Sequence, residues 1–145
     1  MAAARDAQIS PLILTAAARS FSAAGREQEA EALVAEALAD RADAMLFDLP
    51  LHLVELGRGD EYLTLTEGLP ARVWLEAGRA AAAGELVRAA EIYGSFGARL
   101  PEAWAGLLAA ERGDTSRLDA ALAYFEEQQA TPYVQRCRAL LQASA

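Results

Sequence analysis

Residues 80–97 read AAAAGELVRAAEIYGSFG. Four alanines run into Gly84, and a second alanine-rich stretch with a single tyrosine follows. Alanine combines the best helix propensity with little bulk, and glycine is the usual residue just past a helix C-terminus. Two helices that meet across Gly84 with methyl groups facing each other bring their backbones close together. The stretch therefore reads as the turn of an antiparallel helical hairpin. Residues 80–83 end one helix, Ala89 and Ala90 face back across the turn, and Tyr93 with Phe96 fill the space beside the next pair.

The same punctuation recurs outward from this hairpin. Ser10 and Pro11 form a helix start, with Ser as N-cap and Pro in the first turn, and PLILTAAARSFSAA runs from there to Gly25. REQEAEALVAEALA follows, with Ala30, Leu33, Val34, Ala37 and Leu38 at helical spacing. AMLFDLPLHLVELG meets DEYLTLTEGL near Gly59, with Pro50 expected to kink or restart its helix. EAWAGLLAAER meets SRLDAALAYFEEQQ across Gly113, and a last helix, PYVQRCRALLQAS, starts after Thr131. YLTLTE alternates like a strand but is short and has no partner. About nine helices are expected, the fourth short, with Ala18, Ala30, Ala77 and Ala89 at helix contacts. The final helix is expected to dock on the hairpin of Tyr124 and Phe125.

The chain of 145 residues has a net charge of −8, and its 13 side-chain cations are all arginine. Nucleic-acid binding draws on clustered Lys and Arg, and no basic stripe is present, so neither nucleic acid nor an anionic membrane surface is an expected partner. No apolar run approaches the roughly 18 residues that span a bilayer. The start of the chain lacks the apolar core of a signal peptide, and the single Cys137 forms no internal disulfide. A cytoplasmic location is the expectation. Residues 1–9 read as a flexible tail and 10–145 as one all-α domain.

The turn glycines at 25, 59, 84 and 113 recur at the 20–50-residue periods of helical repeat arrays. Ala18, Phe21, Gly25, Ala30 and Ala37 follow one another in the first hairpin as small and large residues do in a tetratricopeptide repeat. Ala77, Gly84, Ala89, Tyr93 and Pro101 repeat that order, and Trp104, Leu107, Ala120, Tyr124 and Pro132 follow it more loosely. The chain resembles a degenerate tetratricopeptide (TPR)-like array, which implies antiparallel hairpins stacked as a right-handed solenoid. RAAEIYGSFGARLPEAWAGLLAAERGDTSRLDAALAYFEEQQATPYVQRCRALL further resembles the terminal helical segment of bacterial LuxR-type ATPase regulators and of class III nucleotide cyclases fused to an ATPase. The chain itself has no GxxxxGK[ST] phosphate loop. The resemblance implies a non-enzymatic helical module of a bacterial signalling system, either the helical end of such a protein or a stand-alone relative.

Individual side chains leave alternatives open. His52 and Glu55, three apart on one helix, share a side, yet a metal site needs more ligands, so a helix-surface pair or a buried tip is the plainer reading. Cys137 stands between Arg136 and Arg138, and positive charge activates a thiol, but neighbours in a helix point apart and a buried small hydrophobe is the better reading. Glu27, Glu29, Glu31, Glu36, Glu126 and Glu127 read as solvated helix faces rather than acid–base pairs. No catalytic residue, cofactor or metal ligand is assigned. Trp74 and Trp104 are on first helices of hairpins, as core packing or as partner contacts. Arg19, Ser22, Arg72 and Arg79 lie on first helices too and suit a carboxylate. Leu12, Ile13 and Leu14 form an apolar end face for a parent domain or a second copy of the chain. Two functions remain in view: a module for protein–protein interaction or regulation, and a sensor whose groove binds a small effector.

Overall fold

The computed structural model describes residues 20–32 and 49–144. The expectations for residues 1–9, Ser10, Pro11, Leu12, Ile13, Leu14, Ala18, Arg19, Leu33, Val34, Glu36, Ala37 and Leu38 fall outside the described residues, as does the chain before Leu49 on which the expected kink or restart at Pro50 depends. Among those described, every regular element is helical and none is a strand. Helical turns at 20–23 and 27–32 flank Gly25. Then come α1 (Leu49–Glu55), α2 (Gly59–Leu65), α3 (Val73–Ala82), α4 (Leu86–Ser95), α5 (Arg99–Glu111), α6 (Leu118–Glu127) and α7 (Thr131–Ala143). The alternating YLTLTE lies in and just after the short α2, where the Thr66 hydroxyl donates to the Tyr62 carbonyl at 2.8 Å.

Helix ends explain the connections. At Gly84 the backbone is left-handed (φ 87°). The Glu85 amide donates to the Ala80 carbonyl at 2.9 Å and the Gly84 amide to Ala81 at 3.0 Å. This pair of bonds is the Schellman closure that satisfies the last carbonyls of a helix. The same pair closes the helix before Gly113, with Asp114 bonding Ala109 and Gly113 bonding Ala110. The second turn centres on Gly57 (φ 70°) rather than on Gly59. Gly59 opens α2 instead, where a Cβ would stand 2.6 Å from the Ala82 carbonyl oxygen. Its lack of a side chain serves the close approach of α2 to α3. After α6 the left-handed position is filled by Gln129 (φ 56°), and the Ala130 amide still reaches the Phe125 carbonyl at 2.9 Å.

Turns this short leave successive helices antiparallel. Each helix packs on its neighbours in sequence, and in addition α1 touches α3 and α5 while α7 touches α5. The core follows from the small residues. Ala77, Ala81, Ala89 and Ala90 are fully buried, and Ala30 nearly so, which lets α3 and α4 approach as the hairpin reading requires. Tyr93 is fully buried and meets Phe96 edge-on at 6.0 Å. Trp104 lies in the middle, edge-on to His52 at 4.6 Å and to Tyr133 at 6.2 Å. Tyr133 stacks on Phe125 at 4.8 Å and 14°. The last helix therefore seats Tyr133, Val134 and Cys137 on the preceding hairpin. A second, smaller cluster joins Leu49, Leu53, Tyr62 and Leu75, with Trp74 partly buried against it.

Candidate functional site

Of the residues singled out for partner binding, the described ones, Ser22, Arg72, Trp74 and Arg79, do not line one pocket together. Arg79 is used inside the fold: one guanidinium nitrogen donates to the Leu63 carbonyl at 3.1 Å and to the Thr66 hydroxyl at 2.6 Å, across the end of α2. Trp74 is half-buried at the small cluster, and Arg72 is exposed just before α3. Ser22 alone of the four lines a charged cleft of about 510 Å³, together with Glu27, Glu31, Glu55, Glu111, Arg112 and Arg136.

The cleft forms where residues 22–31, the end of α1, the end of α5 and the middle of α7 come together. Arg136 organises it. Its Nε and Nη2 donate to the two carboxylate oxygens of Glu111, each at 2.9 Å. Nη2 also stands 2.6 Å from a carboxylate oxygen of Glu55, whose side chain is 12% exposed. A fork of this kind is the strong form of ion pair, because the planar guanidinium matches the carboxylate. Burial opposes the charge on Arg136 and is the largest single influence. The bond to Glu111 and the charges of Glu55 and Glu111 together outweigh it, so the pKa of Arg136 is raised. The guanidinium also lies over the Tyr133 ring at 5.6 Å. Arg112 reaches the Val54 carbonyl at 3.4 Å, near the end of α1, where a helix favours positive charge. Glu27 and Glu31 are exposed, line the same cleft and supply negative charge beyond that used by Arg136.

The other sequence candidates are placed as follows. His52 and Glu55 part company: His52 is buried against Trp104, while Glu55 reaches Arg136 at the cleft. Cys137 is fully buried. Burial pushes its thiol up to about 11 against the pull of Arg136, so it is protonated at neutral pH. Trp104 is a core side chain, wholly shielded from solvent. Glu29, Glu126 and Glu127 pair at the surface with Arg26, Arg138 and Arg99, each at 2.8 Å. Hydrogen bonds from Arg26 and Arg99 hold the Glu29 and Glu127 carboxyls below their usual range. Among the described residues no three His, Cys, Asp or Glu side chains gather closely enough to hold a metal ion, and no helix is long and apolar enough to cross a membrane.

The Glu55–Arg136–Glu111 cluster escaped sequence reading. Its partners are far apart in the chain and only the fold joins them. One signal existed: Arg136 lies three residues after Tyr133 and four before Leu140, at the edge of the apolar stripe of α7 rather than opposite it. A cation there is carried towards neighbouring helices. A scan against protein-family models, a search of curated proteins and a search of solved structures each find no match to the chain.

Proposed function

We propose that the chain is a non-catalytic helical-repeat module that acts by protein–protein interaction or regulation within a bacterial signalling system. In this reading its hairpins stack as a tetratricopeptide-like right-handed solenoid, and the charged cleft receives a segment of a protein partner or of another domain of the same parent protein. One observation carries the reading. The cleft is lined by Ser22 and by residues of α1, α5 and α7 or their ends, elements that the hairpin pattern assigns to first helices and hence to the concave side of such a stack, and is completed by Glu27 and Glu31 from the helix after Gly25. Contacts from α1 to α3 and from α5 to α7 support this reading, because stacked repeats touch their neighbours; α1 also reaches past the intervening hairpin to α5. The surplus of carboxylates suits a segment that brings arginine or lysine. A charged, open lining supports this reading over the small-effector sensor, whose pocket would be enclosed and mostly apolar.

The test compares two variants of equal charge change as affinity baits. Glu27→Lys with Glu31→Lys reverses the cleft wall, and Glu91→Lys with Asp119→Lys reverses charges elsewhere on the exposed surface. A partner bound by the wild type is expected to be lost from the first variant and retained by the second. Equal retention by both, or loss from both alike, would overturn the assignment of the cleft.

A further inference from the structure

We draw no further inference here: the strongest candidate, the apolar corner at the start of α3 where Val73 is exposed beside the partly buried Trp74 and Leu69, carries nothing because nothing in the structure shows what covers it.

Discussion

Adding one methyl group at position 78 tests the close-packing account directly. Gly78 lies in α3, and a Cβ built there would stand 2.6 Å from the Tyr62 hydroxyl oxygen, 2.9 Å from Cγ of Pro50 and 3.0 Å from Cε1 of Tyr62. Tyr62 is fully buried, so its ring has little freedom to move aside. Two effects oppose each other in Gly78→Ala. Alanine in place of glycine within a helix contributes about 0.5–1 kcal/mol of stability. Overpacking a filled core costs about 1–3 kcal/mol. The clash wins, leaving a net loss of up to about 2.5 kcal/mol. At about 3–4 °C per kcal/mol for a chain of this size, the Tm falls by up to about 10 °C. The Tyr62 hydroxyl finds no hydrogen-bond partner among the described residues, and an unsatisfied buried polar group costs about 1–3 kcal/mol. Tyr62→Phe is therefore expected to be neutral or stabilising, and it removes the atom nearest the added methyl. The double variant should recover at least about 0.5 kcal/mol relative to the sum of the single changes. Urea and thermal unfolding followed by circular dichroism measure all four proteins. A Gly78→Ala protein that melts higher than wild type, or strict additivity of the two changes, would refute the packing described for α2 and α3.

Three further outcomes are expected. Gln129→Gly relieves a left-handed backbone at a non-glycine residue, a strain of about 1–2 kcal/mol; part of the gain is returned as chain entropy in the unfolded state, so a net stabilisation of about 0.5–1 kcal/mol should appear in the urea midpoint. Arg136→Ala leaves Glu55 and Glu111 facing each other without a cation, and a loss of about 1–3 kcal/mol is expected for a partly buried pair; the deficit should shrink in 1 M salt, where such repulsion is screened. The Cys137 thiol is raised by burial from about 9 to about 11, so the folded form holds its proton longer than the unfolded chain. That contribution to stability is complete below about pH 9 and is lost as pH rises towards about 11; alkylation at pH 8 should be slow in the native protein and fast in denaturant, and equal rates would show that Cys137 is accessible.

The helical class and most turn positions were legible because both rest on local chemistry. Ala77, Ala89 and Ala90 are small where two backbones meet, and Gly25, Gly84 and Gly113 stand where the chain needs a left-handed residue. The limits of that legibility are equally local. Gly57 and Gly59 lie two apart, and nothing in their composition tells which one turns and which one yields space to Ala82. Gln129 carries no turn signal at all, since its left-handed conformation is imposed by the closure between α6 and α7.

The site was less legible because its geometry is long-range. Ser22, Arg72, Trp74 and Arg79 share a place on first helices in the sequence pattern, yet side-chain reach sorts them differently. Arg79 is long enough to bond the end of α2 and is used there, whereas Ser22 is short and stays at the cleft. The cleft itself depends on Glu55, Glu111 and Arg136, which only the packing of α1, α5 and α7 brings within bonding distance. An arginine held by two carboxylates across three helices ties α7 to α1 and α5. A partner segment that enters beside Glu27 and Glu31 would therefore meet a wall whose position is set by Arg136. This couples the two tests above. If the cleft is the binding surface, Arg136→Ala should weaken partner binding as well as stability. Binding that survives Arg136→Ala unchanged, at a temperature where the variant is fully folded, would place the partner elsewhere on the molecule.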